Sequence, residues 1–176
     1  MKKLGIALLS AFLLAGLTGC AKPTAELPPE ASVQIPNPVV EVDGADAFAA
    51  LGLSLDAPDS AQQVCYSIIS NELAQVQFAL DGRSYTYRGA KTKEDISGVY
   101  ETFDDSSLAL EADGDGFCAS ITVKTIQKGA GGGLATWSYD DAQYSLFTPD
   151  SITGEELGEF AVSLAEKLFS HSETAQ

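Results

Sequence analysis

An α+β fold is predicted: a largely antiparallel curved sheet of about seven or eight strands, a C-terminal amphipathic helix packed on one face, and a short N-terminal helix. Three observations predict it. From Val39 to about Phe169 short runs of alternating apolar and polar residues are separated by turn residues, three pairs of those runs are spaced as hairpins, and one helical stripe closes the pattern. The short helix falls at Ala45–Leu51, with Asp43 or Gly44 near its cap and Gly52 beyond its end. Val64-Cys65-Tyr66-Ser67-Ile68-Ile69 reads as a strand. After Ser70-Asn71, Ala74, Val76, Phe78 and Leu80 alternate with Gln75, Gln77 and Ala79, which makes one face dry and the other wet. Asp81-Gly82 signals a type I′ hairpin turn, because both of its central positions need positive φ. It leads into the alternating run at 84–88, so these three strands form a meander.

A second hairpin joins 107–112 to 117–126 around Asp113-Gly114-Asp115-Gly116, with Phe117, Ala119, Ile121 and Val123 on its dry face. A third joins 134–139 to 143–147 and sets Ala135, Trp137 and Tyr139 opposite Tyr144 and Leu146. The final helix, Gly154–Phe169, carries Leu157, Phe160, Ala161, Leu164 and Leu168 on one stripe. Thr153 and Glu156 have the spacing of a capping box, and Ile152 can staple onto Leu157. This helix is expected to cover the dry face.

The length of 176 residues corresponds to about one domain. The segment 1–19 is laid out as an export signal, with Lys2 and Lys3 ahead of an apolar stretch from Leu4 to Leu17. That stretch is shorter than the roughly 20 residues a membrane span needs. Leu17-Thr18-Gly19-Cys20 resembles the lipobox of bacterial lipoproteins, in which the cysteine is lipidated and anchors the chain. Residues 20–38, with five of the seven prolines, read as an extended tether, 39–170 as the folded domain and 171–176 as a polar tail. The expected address is extracytoplasmic, on a membrane of the bacterial cell envelope.

Ten Lys and Arg stand against 25 Asp and Glu, a net charge of −15. Loss of 1–19 would remove two lysines and no acid, so the mature chain is more acidic still. Such a surface repels phosphate backbones and excludes a nucleic-acid partner. The single histidine, His171, rules out chemistry built on several histidines. Glu111, Asp113, Asp115 and Gly116 imitate the first half of a calcium loop, but position twelve is Thr122, which supplies no bidentate carboxylate. Gly129 and Gly131–Gly133 precede a strand rather than a helix, unlike a phosphate loop. No metal, cofactor or catalytic residue is assigned. Trp137, Tyr139, Tyr144 and Phe147 are spaced as strand residues, which pack a core more often than they line a groove.

Two further features are singled out. Export makes a Cys65–Cys118 disulfide permissible, with Cys118 on the wet face beside Ser120, Thr122 and Lys124. Arg83, Arg88, Lys91 and Lys93 gather half the cations left after residue 19. Arg88, Lys91 and Lys93, with Tyr85 and Tyr87 on the strand leading into them, are the candidate partner-binding residues, suited to an anionic or carboxylate-bearing partner.

The pieces Glu72-Leu73-Ala74-Gln75-Val76, Tyr87-Arg88-Gly89-Ala90-Lys91, Glu94-Asp95-Ile96-Ser97-Gly98, Ala135-Thr136-Trp137 and Tyr144-Ser145-Leu146 are suggestive in this order. Over about residues 38–169 the chain resembles a bacterial extracytoplasmic domain family of unknown function found in membrane lipoproteins and in proteins linked to anti-sigma factors. The resemblance implies fold and address, and brings no reaction, cofactor or catalytic residue. The function expected is a non-catalytic binding or sensing module, held at the membrane by its lipid and facing another envelope protein or an anionic ligand. A carboxylate-dependent envelope hydrolase and a structural lipoprotein docking onto a larger complex are the alternatives.

Overall fold

In the computed structural model, the described residues are 38–114, 117–127 and 131–172. Cys20, the signal and most of the tether lie outside them, as do Asp115, Gly116 and Gly129. Eight strands are present: β1 Val39–Val42, β2 Gln62–Ile69, β3 Leu73–Leu80, β4 Arg83–Ala90, β5 Phe103–Gly114, β6 Phe117–Ile126, β7 Gly133–Tyr139 and β8 Ala142–Thr148. They form one antiparallel sheet in the order β1-β2-β3-β4-β8-β7-β6-β5. Two four-stranded meanders therefore meet at β4 and β8.

The local signals hold. Asp81 and Gly82 have φ of 51 and 78, the positive pair that a type I′ turn requires. The short helix occupies Ala45–Leu51 as a 3₁₀ helix, closed by Gly52 at φ 67. The long helix, α1, spans Gly154–Ser172, a few residues further than its apolar stripe predicts. Its capping box is formed: Glu156 N donates to Thr153 Oγ1 at 3.2 Å, and Thr153 N donates to Glu156 Oε2 at 2.9 Å. β1 is a strand for which the alternation gave no signal, since four residues show too few repeats of a two-residue period.

Helix α1 lies against β5, β6 and β7. It buries Leu157, Ala161, Leu164 and Leu168 against Ile121, Val123 and Ala135, and sends Phe160 edge-on to Tyr85 at 5.1 Å. The helix does not cover the whole dry face. Over the β2–β4 side the cover includes Phe48 of the 3₁₀ helix and Leu53 and Leu55 of the segment after it, all buried.

Cys65 and Cys118 are both free thiols, which corrects the expected disulfide. They lie on the second and seventh strands in the sheet order, five steps of about 4.8 Å apart, whereas a disulfide needs Cα atoms roughly 4.4 to 6.8 Å apart. The Cys118 thiol donates to Glu111 Oε2 at 3.2 Å. That bond to a carboxylate pushes its pKa up and keeps it protonated.

Candidate functional site

The alternation of β4 decides the fate of the predicted binding residues. Tyr85 and Tyr87 point to the dry face, 5% and 1% exposed, and belong to the core. Tyr87 stacks on Trp137, which stacks on Tyr144, with ring centroids 5.8 and 5.7 Å apart. Their assignment to a partner surface is therefore corrected: an aromatic ring at an inward strand position in a covered sheet has no route to a partner.

Arg88 points the other way and is half-buried. The register sets Glu41, Ser67, Gln75, Arg88, Ser145, Thr136 and Thr122 in one polar row across seven strands. Over this row runs the connection from β4, in the middle of the sheet, to β5 at its edge. We call residues 91–102 the strap. Arg88 fastens it: Nε donates to Gln75 Oε1 at 2.9 Å, and Nη1 donates to the carbonyls of Ile96 and Ser97. Gln75 in turn donates to Ser67 Oγ at 3.3 Å. Asp95 Oδ1 accepts from Ser97 N at 2.8 Å, which closes the turn presenting those carbonyls. Gly98 stands at φ +61, a conformation that favours glycine, and a Cβ there would displace Arg88 Nη1 from its place. The Tyr87–Lys91 and Glu94–Gly98 pieces are thus two halves of one fastening. Burial lowers the Arg88 pKa, an effect that the Asp95 carboxylate opposes.

The remaining cations are distributed rather than clustered. Arg83 sits at the opposite end of β4, where it donates to Ser151 O at 2.9 Å and pairs with Glu156 at 3.5 Å. Lys91 pairs with Asp141 at 3.2 Å. Lys93 is exposed on the strap, and among the described residues it has no ion-pair partner. Between the strap and the wet face of β6, β7 and β8 lies a cleft of about 340 Å³. Lys93 stands on its strap side and Lys124 on its sheet side, with Thr122, Thr136, Gln143 and Ser145 also lining it. Glu94 and Asp95 lie on the same strap. A second cleft of about 730 Å³ lies between the strap and the β2–β3 turn, where Arg88 and Lys91 face Glu72 and Asp95.

Lys124, Thr136, Gln143 and Ser145 were not singled out as site residues. Alternation places Lys124 on the wet face of its hairpin, but nothing local says that the strap passes over it. Among the described residues, no group of three metal-ligating side chains is gathered. No protein-family model, curated protein or solved structure matches the chain.

Proposed function

We propose that the chain is a membrane-anchored extracytoplasmic lipoprotein, of the lipoprotein-domain kind its motif pieces resemble, whose folded domain is a non-catalytic binding or sensing module. Its partner is an anionic or carboxylate-bearing ligand, or an envelope protein presenting one, received between the strap and the polar face of the sheet. The observation that carries this reading is the placement of Lys93 and Lys124 on opposite sides of one cleft, neither in an ion pair among the described residues, in a chain of net charge −15. An anion meets repulsion over most of the acidic surface, whereas in this cleft two ammonium groups outside ion pairs balance the carboxylates of Glu94 and Asp95 that also line it, and stand beside hydroxyls and an amide that offer donors. No helix among the described residues is long and apolar enough to cross a membrane. The proposed anchor is the lipid on Cys20, on the strength of Leu17-Thr18-Gly19-Cys20.

Charge reversal at Lys93 and Lys124 tests the site without touching the fastening at Arg88. A photocrosslinking residue at Thr92 in intact cells should capture a discrete partner in the wild type, in competition with added salt, and lose it in the Lys93→Glu, Lys124→Glu variant. Capture that persists in the folded variant would remove the cleft from the proposal.

A further inference from the structure

The fastening leaves part of Arg88 unused. Nε and Nη1 are taken by Gln75 and by the carbonyls of Ile96 and Ser97, while Nη2 has no acceptor among the described residues. The unpaired polar side-chain atoms sealed from solvent among those residues are the Tyr87 hydroxyl and Trp137 Nε1, so Nη2 is both unpaired and open. Every acceptor that Arg88 does have is neutral. A half-buried guanidinium with no carboxylate at ion-pair distance among the described residues, in a chain with 25 acids, is a charge left without its counterion. The acceptor that a free guanidinium N–H holds most strongly is an anionic oxygen, as in a carboxylate.

Two cavities reach Arg88. The 730 Å³ cleft sets Glu72, Glu94 and Asp95 around it, which repels an anion. The other is a groove of about 380 Å³ along the second half of the strap, in which Glu101 is the one carboxylate. Its floor follows from the register. Thr86 and Arg88 point to the same face of β4, and Thr86 pairs with Phe147 on β8, so a half-buried aromatic ring stands on the polar face one row from the guanidinium. Val99 and Tyr100 of the strap complete the groove. Tyr100 is 99% exposed, and a solitary residue of that kind would need no explanation. It stands, however, on backbone that Arg88 itself ties down a few residues earlier. Burial lowers the Arg88 pKa and Asp95 and then Tyr100 oppose that shift, so the phenol is within electrostatic reach of the guanidinium.

We propose that this groove is a second binding site, independent of the cleft at Lys93 and Lys124, for a carboxylate carried on an apolar body of about one ring. The carboxylate accepts from Arg88 Nη2, and the body lies between Phe147 and Tyr100. The groove and the cleft have no lining residue in common. The volume is at the small end for ligand pockets, which sets the size of the body. A free aryl acid and a peptide ending in phenylalanine both present this chemistry.

Titration of the full chain with 3-phenylpropionate, 3-phenylpropanamide and acetate, followed through the methyl resonances of Val99, tests the site. The acid should bind at least about tenfold more tightly than its amide, the worth of one charged hydrogen bond, and more tightly than acetate, which lacks the ring. Tyr100→Ala removes a fully exposed ring and should fold; in it the affinity for 3-phenylpropionate should fall about three- to tenfold. Arg88→Gln should abolish the preference for acid over amide. Because that variant also loosens the strap, the comparison of acid with amide in the wild type carries the charge test by itself. Lys93→Glu, Lys124→Glu should bind 3-phenylpropionate as the wild type does, so this site and the cleft can fail separately. Acetyl-Ala-Phe with a free carboxylate is the peptide arm: tighter binding than 3-phenylpropionate assigns the groove to a chain end, and weaker binding to a free acid. The proposal is overturned if millimolar 3-phenylpropionate leaves Val99 unshifted, if the amide binds as tightly as the acid, or if Tyr100→Ala binds as well as wild type. Shifts confined to Leu73 and Ile96 of the 730 Å³ cleft, or loss of binding in the double lysine variant, would overturn it equally.

Discussion

A guanidinium carries its donors in one rigid plane, so a single arginine can hold two lengths of chain in fixed relation. Arg88 does so, with Nε on the Gln75 side chain and Nη1 on the carbonyls of Ile96 and Ser97. No carboxylate lies within ion-pair distance of it among the described residues. Replacing Arg88 with alanine should therefore cost about 2 kcal/mol in stability, the range for charged hydrogen bonds lost where water can reach part of the gap. The chemical-denaturation midpoint should fall, and the Ser97 amide should lose its protection from hydrogen exchange. Arg88→Lys should not rescue that protection, since an ammonium keeps the charge and loses the planar fork. Unchanged exchange at Ser97 in the alanine variant would mean that the strap is held by something other than Arg88. The dense basic run in the sequence thus contains one residue whose charge serves backbone attachment, and composition alone cannot separate such a role from binding.

Among the elements, α1 was the most legible, because a 3.6-residue stripe of five apolar positions and a capping box are properties of contiguous residues. Loss of the cap in Thr153→Ala should cost about 1 kcal/mol, read as a fall in the denaturation midpoint. Glu156 adds a pH dependence. Bonds from the Thr153 backbone N–H and hydroxyl, with smaller help from Arg83, hold its carboxyl below the ordinary glutamate range. A carboxylate with a depressed folded pKa contributes stability above its unfolded pKa and loses it as pH falls through the folded value. Glu156→Gln should accordingly be less stable than wild type near neutrality, and the gap should close in acid below the carboxylate range. A gap of equal size at both ends would contradict this assignment. The edge strands differ in their protection. β1 is only four residues long, while the twelve-residue β5 carries Asp104, Asp105, Glu111 and Asp113, charges that discourage pairing with a second sheet.

At the scale of the molecule, the sheet is two meanders joined through β4 and β8, and the strap is the price of that order. Leaving β4 in the middle and restarting at the far edge obliges residues 91–102 to cross the polar face, which creates both clefts and buries Ser67, Gln75, Ser97 and Ser145. The proposed binding face is thereby a product of topology. The proposed anchor belongs to this scale as well, since it decides where that face is presented. Cys20→Ser should move the protein from the membrane fraction to the soluble fraction with the folded domain intact, as followed by fractionation and mass spectrometry of the N-terminus. Equal membrane retention of an unlipidated chain would show that the anchor lies elsewhere.

By itself the sequence determined whatever depends on near neighbours. Two-residue alternation assigned the faces of β3 and of β6 to β8, positive-φ residues placed the turn at Asp81-Gly82, and the stripe with its cap delimited the start of α1. Fold class followed, because strands with one dry face and one amphipathic helix can bury their apolar surface only against each other. The pairing of β4 with β8, the separation of Cys65 from Cys118 and the passage of the strap above Lys124 were decided by tertiary structure. The physical reason is that alternation states which face a residue occupies but carries no information on which strand lies beside it. That choice is made by the packing of all strands together, and the candidate site, the cleft between Lys93 and Lys124, is formed by residues that this choice alone brings within reach of one another.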